Sequence, residues 1–281
     1  MAFDITPYID KKPSEVRQLI RQGVIDFPTA GMCRGYAQAN LVILPPEYAD
    51  DFEEYTRKNP FPCPVLEIIR GTPETHAMGQ GGNIVTDIPR YRVYENGVFT
   101  KELTDASAYW KAGYVGFLIG CSFSFEEALM AAGLPVRHIE QGCNVPMYKT
   151  NIQTVKAGPF EGPMVCSMRP MTPEQAKVAY DITVKMPNVH GAPVQIGDPE
   201  KVGVKDVMKR LRRSCRNSGG RNTGILALRS HSSSCSRERE ATRCHYTCPW
   251  AYVYYRYPQH RAKRLSGKKQ VKLSIRHDCL K

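Results

Sequence analysis

The most informative stretch of the sequence is Tyr114-Val-Gly-Phe-Leu-Ile-Gly-Cys-Ser-Phe-Ser-Phe-Glu-Glu-Ala-Leu-Met130. The residues before Gly120 are apolar, as in a buried strand, and the small residues Gly120-Cys-Ser122 form a tight turn. Ser124 and Glu127 have the spacing of a capping box, which predicts a helix that ends at Gly133. A strand, a small-residue turn and a helix in this order direct backbone N–H groups towards one point, which favours anion binding there.

Cys121 lies at the centre of this turn. A thiolate is favoured near the N-terminus of a helix, which makes Cys121 a candidate catalytic residue. The alternative is a small cysteine buried under the helix, because cysteines that form no disulfide are among the most buried residue types. The sequence leaves both interpretations open.

Outward from this unit, apolar strands alternate with helices, and this alternation predicts a mainly α/β body. Strands are predicted at residues 41–44, 65–69, 88–94, 98–100 and 162–170. Helices are predicted to begin at Ser14, at Pro45 and at Thr172, the last with Pro173 in its first turn and a capping box to Gln175. Asn96-Gly97 between two alternating apolar runs predicts a hairpin, and the hairpin region suggests a smaller α+β part.

The segment Arg137-His-Ile-Glu140 carries groups that transfer protons or bind carboxylates. In a strand, alternation would place His138 and Glu140 on one face, where they could form an acid–base couple. The alternative is an edge strand with an ordinary surface ion pair.

Composition divides the chain in two. Of its 281 residues, the first 206 hold 20 Lys and Arg against 24 Asp and Glu, a net charge of −4. Residues 207–281 hold 19 Lys and Arg against three acidic residues, a net charge of +16, and five of the ten cysteines. We therefore treat residues 1–206 as the body and residues 207–281 as a basic tail.

Several protein classes are disfavoured by the residue pattern. No run of eighteen apolar residues is present, and Met1–Asp10 lacks the pattern of a signal peptide, so we expect a cytoplasmic protein. The sequence contains no Walker A motif, no GxGxxG after a strand and no HExxH, so nucleotide-driven and zincin chemistry lack support. Cys33 and Cys63 are not in CxxC spacing, and we expect no metal site in the body.

Six motifs in chain order resemble the D-glutamate cyclase family, whose bacterial members usually carry the provisional name hydro-lyase. The motifs are Ala39-Asn-Leu-Val-Ile-Leu-Pro45, Arg70-Gly-Thr-Pro-Glu74, Thr86-Asp-Ile-Pro-Arg-Tyr-Arg92, Gly120-Cys-Ser-Phe-Ser-Phe-Glu126, Gly142-Cys-Asn-Val-Pro-Met-Tyr148 and Val189-His-Gly-Ala-Pro193. The resemblance covers residues 4–206 and implies a three-layer α/β domain with a smaller inserted α+β domain. It also implies chemistry that eliminates water, the named reaction being conversion of D-glutamate to 5-oxo-D-proline.

Lactam closure requires the substrate amine as its free base, a clamp for the α-carboxylate, donors for an oxyanion and an acid that releases water. It requires no cofactor. The candidate catalytic residues are Cys121, Glu126, His138 and Glu140, with the turn at Gly120–Ser122 as the oxyanion site. The candidate substrate-binding residues are Arg34, Asn40, Arg70, Thr72, Arg90, Ser122, Asn144, Arg169 and His190. The expected partner is a small-molecule carboxylate, with neither membrane nor nucleic acid, and a homo-oligomer stays open.

The family pattern ends after Asp206, and a shift of reading frame explains the change. Reading from the second base of each codon, with allowed third bases, gives a continuous stretch from Arg210 without a stop. That stretch contains FWRCGVTPQ and THAPGHMFITD, which resemble the C-terminal motifs of the family. We therefore predict that the tail from about Lys209 is out of frame and disordered, and that the chain folds poorly and is nearly inactive, as a pseudogene product would be.

The tail has a competing interpretation. Its charge and the tyrosines at positions 252, 254, 255 and 257 would suit RNA binding through phosphate contacts and stacking. Cys244, His245 and Cys248 could likewise suggest zinc. The frame shift accounts for the same residues without either activity.

Overall fold

A computed structural model of the chain describes residues 4–95, 98–142 and 145–207, and the backbone of three strands at 224–229, 245–247 and 253–258. The described helices are α1 (Pro13–Arg21), α2 (Pro46–Lys58), α3 (Phe123–Ala131), α4 (Arg137–Glu140) and α5 (Pro173–Thr183). Short 3-10 turns lie at Thr6–Tyr8, Ser107–Tyr109, Pro187–Val189 and Pro199–Val202. No helix in these ranges is long and apolar enough to cross a membrane.

The strands form two sheets, and every pairing between described strands is antiparallel. The strands are β1 (Tyr36–Leu44), β2 (Val65–Arg70), β3 (Tyr91–Glu95), β4 (Val98–Leu103), β5 (Val115–Gly120), β6 (Met147–Gln153), β7 (Pro163–Met171), β8 (Gln195–Ile196), β9 (Gly224–Arg229), β10 (His245–Thr247) and β11 (Val253–Pro258). The larger sheet has the order β2-β5-β1-β10-β3-β4, with β11 also paired to β1, and the smaller sheet has the order β6-β7-β9-β8.

Strand β1 lies inside the larger sheet, between β5 and β10, and both of its faces are buried. Alternation sends Leu41 and Ile43 into one apolar cluster with Ile84 and Leu118. Val42 and Leu44 face the opposite cluster, in which α2 packs through Phe52 and Tyr55. A strand that is buried on both faces explains why this segment is a continuous apolar run.

A third apolar cluster joins α3 and α5 to the smaller sheet. Phe125 and Leu129 of α3 pack there with Ala176 and Ala179 of α5 and with Met171 of β7. Helix α3 therefore lies between the last residues of β5 and the smaller sheet, and this position brings its polar residues close to β7.

Most of the predicted elements are confirmed, including the Asn96-Gly97 hairpin strands, which pair as β3 and β4. Thr172 caps α5, accepting a hydrogen bond from the Gln175 N–H at 3.3 Å. The first helix is capped two residues earlier than predicted, because Lys12 rather than Ser14 occupies the N-cap and Glu15 accepts from its N–H at 2.8 Å. The mixed α/β class is confirmed, while the three-layer arrangement, the inserted domain and the division at residue 206 stay predictions.

Candidate active site

A buried ionic cluster forms where side chains of α3, α4 and β7 meet. Glu126, His138 and Arg169 are each no more than 2% exposed. The Arg169 guanidinium donates to Glu126 Oε1 and, at 3.3 Å, to Ser122 Oγ. Its other terminal nitrogen donates to Ser167 Oγ at 3.1 Å. Two hydroxyls and one carboxylate thus hold a guanidinium that water does not reach.

His138 contacts the same carboxylate oxygen from the other side. Its Nε2 lies 3.0 Å from Glu126 Oε1. Phe123 stacks on the His138 ring at 5.8 Å between centroids, and Phe125 lies 5.2 Å from the Arg169 guanidinium carbon. Aromatic rings of α3 therefore lie against both residues that contact Glu126 Oε1.

Two opposing effects set the charge of Glu126. Burial by itself raises the pKa of this carboxyl, because a low dielectric disfavours the charged form. The charges of His138 and Arg169 and their contacts with the carboxylate outweigh burial and hold the pKa of Glu126 below its usual value. Glu126 is therefore an ionised carboxylate at neutral pH.

The cluster contains polar atoms that make no hydrogen bond within the described part of the chain. These atoms are Glu126 Oε2, His138 Nε2 and Arg169 Nε, together with Oε1 of Gln38 on β1. A buried polar atom without a partner costs free energy, so its presence calls for a ligand or for a further protein group.

A cavity of about 440 Å³ lies against the Glu126 side of the cluster. Its volume is in the range of small-molecule sites. Its walls come from the N-terminal segment, β1, α3 and α4, and are formed by Ile5, Ile9, Gly31, Met32, Cys33, Arg34, Tyr36, Gln38, Phe123, Glu126, Glu127, Met130, Ala131 and Ile139. Arg169 and His138 do not line this cavity. They contact Glu126, which does line it, and so hold its carboxylate in place.

Arg34 is the cationic side chain of the cavity wall. It is 59% exposed and pairs with Asp10 at 3.3 Å, and Asp10 is itself 77% exposed. An ion pair between such exposed groups contributes at most about 1 kcal/mol, so Arg34 can exchange Asp10 for a substrate carboxylate. Burial raises the pKa of the neighbouring Cys33 thiol to about 12, which keeps this thiol neutral.

An oxyanion site at the Gly120–Ser122 turn requires free backbone N–H donors, and two of the N–H groups of this turn are already used. The Gly120 N–H donates to Pro64 O at 2.8 Å, and the Cys121 N–H donates to Gln38 O at 3.0 Å. Backbone carbonyls thus use both donors. The Cys121 side chain lies in an apolar cluster with Phe123 and Val145, as the buried-cysteine interpretation predicts.

The predicted capping box at α3 is also wrong. Ser122 occupies the N-cap, and its side chain makes no capping hydrogen bond. Ser124 Oγ instead accepts from the Gln38 N–H at 2.8 Å, and Glu127 accepts from the Gly35 N–H at 2.6 Å. Ser124 and Glu127 thus tie the helix to β1 and its entry loop rather than to the helix's own backbone.

The predicted couple of His138 and Glu140 is wrong because Arg137–Glu140 is a helix and not a strand. Glu140 is exposed and pairs with Arg137 at 2.7 Å, whereas His138 turns inward to Glu126. His138 thus contacts the carboxylate on α3 and not Glu140.

Three predicted substrate-binding residues do not reach the cavity. Arg70 pairs with Asp50 and Glu53 of α2, Thr72 is exposed in the following loop, and Arg90 pairs with Asp26 and Glu102.

Two further candidates are buried elsewhere. Asn40 lies within β1 opposite Ile119, and His190 Nδ1 contacts Phe61 O at 3.0 Å. Asn144 lies outside the described residues.

Gln38 is the cavity residue that sequence reasoning missed. It is 3% exposed, in a strand whose other residues are almost all apolar. A long amide side chain in such a strand is the signal that could have identified it. No three His, Cys, Asp or Glu side chains in the described ranges come together in a way that could hold a metal ion.

Comparison with known proteins finds one family model and several relatives that match this chain. Residues 115–211, which include α3, α4 and β7, match the family model described as D-glutamate cyclase. A protein of Clostridium beijerinckii, provisionally named a hydro-lyase, is 52% identical over 203 residues, which is 72% of this chain and 78% of that protein. A relative from Bacillus velezensis with the same provisional name is 52% identical over 199 residues, which is 70% of this chain and 75% of that protein. A further relative with this provisional name, YcsI of Bacillus subtilis, is 50% identical over 198 residues, which is 70% of this chain and 77% of that protein. Identity at this level over three quarters of each relative means that the chain belongs to the D-glutamate cyclase family.

Proposed function

We propose that the cavity beside Glu126 is the substrate pocket of a lyase that eliminates water from a small amino or carboxylic acid. Cyclisation of D-glutamate to 5-oxo-D-proline is the reaction to test first. The observation that carries the proposal is a buried, ionised carboxylate at the cavity wall, with His138 against its other side. A carboxylate and an imidazole in contact are a common acid–base pair.

The reaction requires proton transfers and involves no redox step. The amine nitrogen forms a bond to the side-chain carboxyl carbon, and this carbon loses one oxygen as water. In the proposal, Arg34 binds the α-carboxylate, and Glu126 with His138 accepts a proton from the amine and returns one to the leaving oxygen. Arg169 acts as a positioning residue, because its contacts with Ser122, Ser167 and Glu126 fix the carboxylate.

We further propose that the tail of this chain lacks groups that complete the site. Counted codon by codon from Arg210, the shifted reading places its FWRC letters at positions 225–228, which lie within β9. In the β7–β9 register, position 226 is opposite Arg169 and position 228 is opposite Ser167. The tryptophan and cysteine of that reading would therefore enter the sheet beside the residues that hold Glu126.

The test compares the 281-residue chain with a version whose tail is restored to the shifted reading. Both are incubated with D-glutamate, and 5-oxoproline is followed by proton NMR. We expect turnover by the restored protein and little or none by the 281-residue chain.

Two variants of the restored protein identify the chemical group. Glu126→Gln should reduce the rate by about 100-fold or more, the usual contribution of a positioned acid–base group. Glu174→Gln, an exposed carboxylate in the first turn of α5, should leave the rate unchanged. A folded restored protein without product, or a Glu126→Gln variant with full activity, would exclude the proposed reaction.

A further inference from the structure

A second buried ionic cluster lies outside the candidate active site, at Asp87. The Asp87 side chain is fully buried, and Arg21 of α1 donates to both of its oxygens, at 2.5 Å from Nε and 2.8 Å from Nη2. The Nε of Arg17, which is 4% exposed, lies 3.3 Å from Oδ2 of the same carboxylate. The Asn83 N–H and the Thr86 hydroxyl also donate to this carboxylate, at 2.8 Å and 3.0 Å. One carboxylate thus joins α1 to the loop before β3.

Helix α1 belongs to a segment with its own apolar core. We call residues 4–36 the N-terminal unit, because every member of the apolar cluster that contains Ile20 of α1 lies within this range. The cluster includes Met32 and Cys33, which also line the cavity. A displacement of α1 would therefore move one wall of the cavity, and this wall also carries Arg34.

The N-terminal unit has further contacts with the rest of the body. Asp26 pairs with Arg90 at 2.7 Å, but the two side chains are 50% and 43% exposed, and an exposed ion pair contributes little to stability. The Gly35 N–H donates to Glu127 of α3, and β11 lies beside α1. Removing one partner from a buried ion pair is strongly destabilising, because the remaining charge is buried without compensation. Asp87 is therefore the buried ionic attachment of the unit, and the pair of Asp26 and Arg90 is an exposed one.

We propose that Asp87 is a positioning residue of the cavity: through the two arginines of α1 it holds the N-terminal unit, and with it Arg34, against α3. Asp87 does not line the cavity, so it acts through α1 and the apolar cluster that α1 shares with the wall. The proposed function assigns no role to Asp87, and the inference rests on that function only for the ligand of Arg34. Loss of the Asp87 charge should open the wall and leave the chemistry at Glu126 intact.

Hydrogen exchange tests the attachment without any ligand. Asp87→Asn keeps the size of the side chain and removes its charge, and it is made both in the 281-residue chain and in the version with the restored tail. We expect amide exchange within residues 4–36 to become at least about tenfold faster while exchange in β5 changes little, because the cost of the broken ion pairs is expressed as local opening. Phe52→Leu is the matched control: it weakens the apolar cluster at α2 and should not accelerate exchange preferentially in the N-terminal unit.

The alkylation rate of Cys33 supplies a second readout. Cys33 is 1% exposed at the cavity wall, and Cys63 is equally buried in the apolar cluster at α2. Asp87→Asn should raise the rate at which iodoacetamide labels Cys33 by at least about tenfold and leave Cys63 unchanged, because the reaction requires access to the thiolate. Arg21→Met should act in the same direction and add little in the double variant, because the two side chains form one contact. Mass spectrometry of the peptides measures both rates.

The kinetics of the restored protein connect the attachment to the site. Asp87→Asn should raise KM for D-glutamate about tenfold and change kcat by less than about twofold, the pattern of lost binding rather than of lost chemistry. A substitution that only destabilised the fold would lower the amount of active protein and leave KM unchanged. This split between KM and kcat therefore separates positioning from general damage.

Unchanged exchange of residues 4–36 in Asp87→Asn, or an acceleration no larger than in the rest of the body, overturns the inference. A loosened N-terminal unit with an unchanged KM overturns it as well. The proposed reaction fails separately: if the restored protein forms no 5-oxoproline, the cyclisation is excluded, and the exchange and alkylation rates alone decide the role of Asp87.

Discussion

At the scale of single residues, the site depends on how Glu126 keeps its charge without water. An isolated carboxylate in an apolar interior would become protonated. Here Arg169 and His138 both contact Oε1, so the carboxylate is ionised while Oε2 faces no donor in the described structure. Both contacts that stabilise the charge are thus made to one oxygen of the carboxylate.

Arg169 is expected to matter for stability as well as for binding. Replacing Arg169 with Met keeps most of its volume but removes a cationic partner of Glu126, and breaking a buried ion pair on one side costs about 3–5 kcal/mol. Urea unfolding should show this loss. Arg137→Met, which breaks an exposed pair with Glu140, should change stability by less than about 1 kcal/mol. Equal effects of the two substitutions would contradict the role given to Arg169.

The lowered pKa of Glu126 predicts a dependence of stability on pH. Folding favours the ionised form, so the stabilisation is present above the unfolded pKa, near 4.5, and is lost as the pH falls below it. We expect the free energy of unfolding to decrease on acidification through this range, and to decrease less in Glu126→Gln. Asp4, Glu54 and Glu174 also have lowered pKa values, but they are unchanged in the variant. Parallel curves for the two proteins would show that Glu126 is not the group responsible.

At the scale of elements, β5 leads into the site through a close backbone contact. A Cβ atom on Gly120 would lie 2.0 Å from the carbonyl oxygen of Asn188, whereas a Cβ on Gly116 would lie 2.2 Å from the Cδ1 end of the Ile84 side chain. Backbone cannot move aside as easily as the end of a side chain. Glycine at position 120 therefore allows β5 to pack against the 3-10 turn Pro187–Val189.

This difference predicts unequal effects of two similar substitutions. Gly120→Ala should lower the melting temperature clearly more than Gly116→Ala, because only the former displaces the backbone beside α3. Differential scanning calorimetry of the two variants measures the difference. A larger loss in Gly116→Ala would mean that Ile84 is packed more rigidly than the turn at Asn188.

The elements also explain which sequence predictions succeeded. Strands β1 and β5 are long apolar runs, and the period-2 or continuous apolar pattern is sufficient to define them. Arg137–Glu140 is a single helical turn, and four residues are too few to separate a period of 3.6 from a period of 2. The spacing of Ser124 and Glu127 predicts local capping, but tertiary partners on β1 and at Gly35 use both side chains.

The candidate site was predictable only in part for a related reason. Glu126, His138 and Arg169 could be chosen by residue type, but their convergence depends on the packing of α3 against β7, across more than forty residues of chain. Gln38 could not be chosen by chemistry alone, since its importance comes from burial beside Glu126. Sequence reasoning finds groups that can react, and packing decides which of them meet.

At the scale of the whole molecule, the body and the tail differ in net charge and in their match to the family. The match to the family model ends at residue 211, close to the change in net charge after residue 206. The described strands β9, β10 and β11 nevertheless pair with β7, β3 and β1, so both sheets have positions for chain from the tail. Residues in these positions contribute to the sheets on which the site is built.

The shifted reading makes a prediction about the gene itself. Because β9 covers the positions at which that reading places FWRC, an out-of-frame tail puts unrelated side chains beside Arg169 and Ser167. Resequencing the gene across the codons for Val207 to Leu211 should therefore reveal one base missing or extra, and the corrected protein should regain the THAPGH segment. If the bases are unchanged, the shift belongs to the gene, and we expect activity in the relatives and not in this chain. A cooperative melt together with turnover by the 281-residue chain would contradict the out-of-frame interpretation, since an out-of-frame β9 places unselected side chains opposite Arg169 and Ser167.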